Sequence, residues 1–272
     1  MTKLYFPSQP DLRQLSSYYV EWKPWLHEPL GDIAVFYEFV IEEQQDAHVS
    51  IIPDGCFDIL FHLHESNPVA YLWTTPFSKK EQPFINVGEH YFGVRFWPEQ
   101  TSIFFREHMH DLLEKVIPLH ELLSFDFKIF ELLRSSTSFE QRIRYFNQFL
   151  LSLKQQSSKE TMLMKYVVDQ LYKSHGTMSL SDIAATAGYS PQYMRRIFEW
   201  FIGLSPKQFA QIVQFQTTLY NIGEQQIVDL QELAFRAGYY DQAHFNRAFK
   251  KFMQTTPKKY VQQLQHAKQG VF

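Results

Sequence analysis

Between Ser179 and Tyr260 the sequence repeats itself, and few folds can accommodate the repeat. Leu180, Ala184, Gly188 and Tyr189 recur 50 positions later as Leu230, Ala234, Gly238 and Tyr239. Beyond that point the interval is 51: Met194, Arg196 and Phe198 return as Phe245, Arg247 and Phe249, and Ser205-Pro206 returns as Thr256-Pro257. One inserted residue, Tyr240, accounts for the change. An interval that holds on both sides of a single insertion marks a duplicated structural unit.

Each copy reads as two short helices joined by a tight turn. In the first, Ser179 caps a helix with Asp182 at the capping-box position, and Gly188 ends it where positive φ is needed. Ser190 caps the next helix, with Pro191 at the position where its missing N–H does no harm. Asp229 with Glu232, Gly238 and Asp241 take the same parts in the second copy. Leu180, Ile183, Ala184, Met194, Ile197 and Phe198 supply the shared core of two crossed helices, and alanine at 184 and 234 lets them approach closely. The long helix entered at Ser205-Pro206 joins the copies; its length of about 25 Å is comparable to one turn of B-DNA, about 34 Å, so two such units suit adjacent major grooves.

The chain has 272 residues and a formal charge of −3, which argues against a nucleic-acid binder until the charge is located. From Ser158 onward there are 13 Lys and Arg against 8 Asp and Glu, whereas residues 1–157 hold 13 against 21. The basic half is the half that carries the repeat, as expected of a DNA-binding unit fused to a different module. The amino terminus lacks the apolar core of a signal peptide, and no apolar run approaches the ~18 residues that span a bilayer. A single cysteine excludes an intramolecular disulfide and fits a reducing cytoplasm.

Residues 1 to about 100 are aromatic and punctuated by Pro and Gly. DIAVFYEFVI, HVSIIPDGCFDILFHLH, YLWTTPF and YFGVRFW read as strands, with a tight turn at Pro53-Asp54-Gly55. Between Glu99 and Leu153 the period becomes helical, in TSIFFREHMHDLLEKVIPLHELL and FEQRIRYFNQFLLSLK, broken by Pro118 and a Ser/Thr run. KQQSSKE is polar and unperiodic, so the boundary falls there: an α+β domain over 1–157, a small antiparallel sheet or barrel followed by helices, and an all-α domain over 158–272.

With these residues in place the sequence resembles the AraC/XylS family of bacterial transcription regulators. Ile183-Ala184, Gly188, Ser190, Met194, Arg196, Phe198, Gly203, Ser205 and Pro206 match its first signature. Gly238-Tyr239, Asp241, Phe245, Arg247, Phe249-Lys250 and Thr256-Pro257 match its second. Two positions depart: Gln214 stands in the linker helix where the family commonly has Arg, and Gln254 replaces the second turn glycine that Gly203 matches in the first copy. IPDGCFDILFHL and FGVRFWPEQ resemble a sensor region found ahead of this unit in some members. The resemblance implies a sequence-specific regulator of promoter DNA that needs no cofactor. It admits RNA polymerase, a small-molecule effector and a second copy of the chain as further partners, and leaves activation and repression both open.

A recognition helix turns its first polar residues to base edges. With Met194, Ile197 and Phe198 inward, the outward set is Gln192, Tyr193, Arg195 and Arg196; with Phe245, Ala248 and Phe249 inward, it is Gln242, Ala243, Asn246 and Arg247. Gln and Asn suit adenine and Arg suits guanine, while Lys250, Lys251, Lys207 and Lys258 are placed for phosphates. An isolated surface arginine more often pairs with a neighbouring carboxylate; recurrence of Arg196 as Arg247 favours DNA.

The first half offers less. Alternation along residues 56–64 puts Cys56, Asp58, Leu60, His62 and His64 on one strand face, so Asp58, His62 and Arg95 are the candidates for an effector site, with an ion pair inside the sheet the plainer role for Arg95. His62, His64 and Glu65 form part of a cupin-like metal pattern whose remaining ligands are absent, and no metal site is expected. A cupin-like enzyme or a thiol methyl-acceptor acting through Cys56 is the competing class, and an interaction module whose repeats no longer bind DNA is a third. Neither enzyme has its required surroundings in the sequence.

Overall fold

The computed structural model describes residues 5–24, 31–41, 49–63, 68–82, 85–153, 158–223 and 229–269. The first half opens with α1 (Pro10–Gln14), β1 (Ser16–Trp22), β2 (Ile33–Ile41), β3 (Ser50–Ile51), β4 (Phe57–His62), β5 (Val69–Thr74), β6 (Lys80–Glu81) and β7 (His90–Phe96). It continues through α2 (Met109–Leu112), β8 (Val116–Pro118), α3 (Leu119–Leu122), α4 (Lys128–Ser135) and α5 (Phe139–Ser152). The second half is helical: α6 (Lys159–Lys173), α7 (Leu180–Ala187), α8 (Pro191–Ile202), α9 (Pro206–Gly223), α10 (Leu230–Arg236), α11 (Gln242–Met253) and α12 (Pro257–Gln269).

Six strands form one antiparallel sheet in the order β1-β2-β7-β4-β5-β8, and β3 pairs with β6 apart from it. The four apolar runs that read as strands all contribute to these sheets. β1 is added at one edge, where its half-exposed residues carry only weak alternation. The other edge corrects the sequence reading. The stretch 101–123 is not a helix with a break: its helices are four residues each, Glu114 takes a positive φ of 59°, and Val116–Pro118 extends the sheet by pairing with Trp73, Leu72 and Tyr71. A β-branched pair ahead of Pro118 favours the strand over a third helical turn.

Both faces of the sheet are covered. On one, Phe36, Phe57, Ile59, Phe61, Phe92 and Phe96 pack against α4 and α5, with Phe146 of α5 edge-on to Phe36 at 6.0 Å and to Phe61 at 5.9 Å. Arg142 fixes this layer. Its guanidinium donates to the carbonyls of Leu133 and Ser136 and pairs with buried Glu38 of β2 at 3.1 Å. The opposite face, with Tyr37, Phe39, Leu60, Trp73 and Tyr91, belongs to a core that continues into the helical half. Tyr5 stacks on Tyr172 of α6 at 4.6 Å and Phe6 on Tyr220 of α9 at 4.5 Å.

In the helical half the caps follow the sequence closely. Ser179, Ser190, Asp229 and Asp241 each accept a backbone N–H from the first turn of the helix they precede, and Gly188 and Gly238 are left-handed, with φ of 73° and 74°. At the first helix the Asp182 carboxylate accepts a hydrogen bond from the Ser179 hydroxyl at 2.7 Å instead of reaching the backbone. The joining helix α9 has 18 residues, about 27 Å of length. Gln214, at the position where arginine is common, donates to the carbonyl of Gly238 at 3.2 Å and so ties α9 to the turn of the second copy.

Candidate nucleic-acid interface

The duplicated surface is concave in both copies. A hollow of about 700 Å³ lies along α8, walled by Gln192, Arg195, Arg196 and Glu199 and closed by Ser205 and Gln208 at the start of α9. A second, of about 390 Å³, lies along α11, walled by Gln242, Asn246, Arg247 and Lys250 and closed by Thr256 and Lys258 at the start of α12. The linings correspond under the 51-residue interval: Arg195 to Asn246, Arg196 to Arg247, Glu199 to Lys250 and Ser205 to Thr256.

Local chemistry explains the shape. Met194, Ile197 and Phe198 are buried, as are Phe245 and Phe249, so α8 and α11 each turn a mainly polar flank outward, with Trp200 the exposed apolar exception on α8. The following helix starts with a capped turn. In the first copy Ser205 and Gln208 form a reciprocal box, with Ser205 N–H on Gln208 Oε1 at 2.9 Å and Gln208 N–H on Ser205 Oγ at 3.2 Å. Exposed arginines beside a helix amino terminus make an anion-binding concavity.

Not every outward residue reaches a hollow. Tyr193 is half-buried beside the first: its ring stacks on Tyr189 at 5.7 Å and carries the Arg196 guanidinium at 5.4 Å, so it orients that arginine. Ala243 is exposed outside the second hollow, and Lys251 turns toward α9, its Nζ at 3.4 Å from Gln211 Oε1. Sequence reasoning missed His108 and His110, which come from the first half and line the far wall of the α8 hollow. His108 meets Trp200 edge-on at 3.6 Å. Nothing local in the sequence joins them to α8, some 80 residues away.

In the first half two of the three effector candidates, Asp58 and Arg95, meet each other, and His62 lies apart from them. Arg95 is buried and holds Asp58 through two bonds, Nε to Oδ1 at 2.9 Å and Nη2 to Oδ2 at 3.1 Å, while Nη1 lies 3.3 Å from Asp54. Burial pushes the Asp58 carboxyl up to about 6, against the pull of Arg95, with Asp54 adding to the rise. The guanidinium is thus occupied as an ion pair inside the sheet. His62, farther along β4, pairs with Glu89 at 3.1 Å and stacks on Tyr91. His64 and Glu65 lie outside the described residues. Cys56 is buried, and burial pushes its thiol pKa well up, opposite to what a nucleophile requires. Among the described residues no group of three His, Cys, Asp or Glu is placed to hold a metal ion, and no helix is long and apolar enough to cross a membrane.

Residues 164–263 match a helix-turn-helix domain family, and residues 28–118 match a domain of unknown function (DUF6597). A probable transcription factor of Proteus vulgaris, PqrA, is 30% identical over 98 residues, which is 36% of this chain and 79% of that protein. The chain belongs to the AraC/XylS family of transcription regulators. Two solved structures resemble it at lower identity. ToxT of Vibrio cholerae is 11% identical, with 79% of this chain and 88% of that one covered and a TM-score of 0.43. The carboxy-terminal domain of AraT, a response regulator of Geobacillus stearothermophilus, is 23% identical over 39% and 88%, with a TM-score of 0.36. The match to the helix-turn-helix family and the likeness to PqrA make this AraC/XylS chain a DNA-binding transcription regulator.

Proposed function

We propose that this AraC/XylS regulator reads two adjacent major-groove segments of one promoter, the first with α8 and the second with α11. The observation that supports it is the repetition of one lined hollow at equivalent positions of the two copies, each pairing a recognition helix with the amino terminus of the next helix. Arg196 and Arg247 face guanine, Gln192, Arg195, Gln242 and Asn246 take neighbouring base edges, and Lys250 and Lys258 neutralise phosphate. Tyr193 acts through Arg196, and Ala243 and Lys251 lie at the margin. Residues 158–272 are the DNA-binding domain and residues 1–157 the sensing module, working in the bacterial cytoplasm. A small-molecule effector or a second copy of the chain supplies the regulating input to that module, and RNA polymerase is the partner through which occupancy reaches transcription. A bonded path favours such an input: Arg95 meets Asp54, and Gln216 of α9 donates to the carbonyl of adjacent Pro53 at 2.7 Å.

The test is genome-wide DNA capture with the purified chain beside its Arg196→Ala/Arg247→Ala variant. The expected result is a shared site of two short blocks about 10 base pairs apart, lost in the variant. Each arginine alone is worth about 1–3 kcal/mol, roughly 5- to 150-fold in affinity. Equal capture by chain and variant would sink the reading.

A further inference from the structure

The second copy of the repeat ends on an anomaly. At the carboxy terminus of α11 the chain must turn left-handed, and Gln254 does so with φ of 58° where the first copy uses Gly203, with φ of 79°. A glutamine enters that conformation at a cost that glycine avoids, but it brings a side chain that glycine lacks. Gln254 Nε2 donates to the backbone carbonyl of Lys79 at 2.8 Å, and the Lys79 N–H donates to the carbonyl of Phe252 at 2.8 Å. Lys79 immediately precedes β6 in the first half, 175 residues away. One residue of the sensing module therefore satisfies an orphan carbonyl at the end of the second recognition helix and is held in return by the side chain that caps it.

The first recognition helix is gripped at the same point by other means. Its terminal Gly203 lies directly against the backbone of Met109 and His110, so close that a Cβ there would stand 2.8 Å from the His110 nitrogen and the Met109 carbonyl carbon. The first copy needs glycine to let the sensing module approach. The second needs glutamine to reach it. Both recognition helices are thus held at their carboxy-terminal ends by segments of one sheet domain.

We propose that the sensing module sets the spacing and rotation of the two recognition helices through these contacts, and that Gln254 is a positioning residue for DNA recognition. The inference rests on the two-segment reading above. Gln254 touches no base, because it stands at the end of α11 remote from the capped amino terminus that faces DNA. Its effect is on which block spacing the protein accepts.

The test uses the full chain and operators in which one base pair is added to or removed from the spacer, moving the second block by about 3.4 Å and about a tenth of a turn. Three variants accompany it. Gln254→Gly keeps the left-handed turn and removes the side-chain half of the clasp. Gln254→Glu keeps the shape and replaces the donor with a carboxylate. Lys79→Ala leaves the backbone clasp intact. The native chain and Lys79→Ala are expected to lose about tenfold or more in affinity on a one-base-pair shift, and both Gln254 variants no more than about threefold, since a pre-organised pair is the one that discriminates. In parallel, hydrogen exchange of the Lys79 amide should quicken about tenfold in Gln254→Gly. Identical spacing profiles in native chain and variants overturn the proposal, as does a Lys79 amide indifferent to Gln254. If the native chain recognises no paired blocks, the two-segment reading fails and the proposal with it. The exchange measurement then reports separately whether the clasp exists.

Discussion

Gly188 and Gly203 occupy the same structural role at the ends of successive helices, and replacing each by alanine separates two energies that are usually entangled. Both are left-handed, with φ of 73° and 79°, so an alanine costs each about 1 kcal/mol in backbone conformation. At Gly188 nothing lies within 4 Å of the added Cβ, so that is the whole effect. At Gly203 the methyl meets backbone atoms of Met109 and His110 at 2.8–2.9 Å, and backbone cannot turn aside as a side chain would. Overpacking of that kind adds about 1–3 kcal/mol. For a chain of this length a destabilisation of 1 kcal/mol lowers the melting temperature by about 2–3 °C. Gly188→Ala should therefore melt about 2–3 °C below the native chain, and Gly203→Ala about 4–12 °C below it, followed by circular dichroism at 222 nm and by calorimetry. Equal losses in the two variants would refute the reasoning, because they would show that the Met109–His110 segment yields freely and does not hold α8.

Two further outcomes follow from charge. Asp58 keeps its proton in the folded chain up to about pH 6, whereas an unperturbed aspartate releases it near 3.8, so the folded state binds more protons between those values. Stability contributed by this site is complete below about pH 4 and falls as pH rises to 6; comparing urea unfolding of native chain and Asp58→Asn across that window should show the native curve falling relative to the variant, and parallel curves would contradict it. Among the described residues Glu199 is the one carboxylate lining the α8 hollow, and it stands where the second copy has Lys250. Glu199→Gln should tighten operator binding about 2- to 5-fold at low salt by removing repulsion from phosphate, measured by fluorescence anisotropy; unchanged affinity would mean that the hollow does not face the DNA backbone.

The repeat was legible because everything that builds it is local. A cap, a turn glycine and an alternation of buried and exposed positions lie within a dozen residues of one another, and Ser190, Gly188 and Met194 take the places their types require. The sheet was legible as strands but not as a topology, since apolar runs state that they are buried without naming their neighbours. The stretch 101–123 misled because its apolar spacing suits a helix, while the pairing that makes Val116–Pro118 a strand is supplied by β5, more than 40 residues earlier. Arg95 was readable as an ion-pair partner but not as the partner of Asp58 in particular. Gln254 shows the same limit most sharply. Its departure from glycine was visible in the sequence as an oddity, and only the fold brings Lys79 to it.

The long-range contacts also bear on what it means to divide this chain at residues 154–157. The division is real in sequence, where a polar segment separates an acidic half from a basic one. It is not a division in packing. Tyr172 of α6 lies between Tyr5 and Phe209, Lys165 pairs with Asp32 at 3.3 Å, and the aromatic ring of Phe209 fills the place where a side chain on Gly55 would stand. Each fully buried aromatic contributes about 1.5–3 kcal/mol, so a handful of such contacts amounts to a substantial part of the 5–15 kcal/mol that keeps a domain folded. A sensing module attached only by a flexible tether could alter DNA binding by changing where the DNA-binding unit is found. The proposed module shares a core with that unit and touches the ends of α8 and α11, so the proposal has it alter binding by changing shape. The two modes differ in what a mutation in the linker would do. If the proposed coupling runs through the shared core, lengthening 154–157 should leave operator affinity unchanged, whereas loosening the buried contacts around Tyr5, Gly55 and Gln216 should change it.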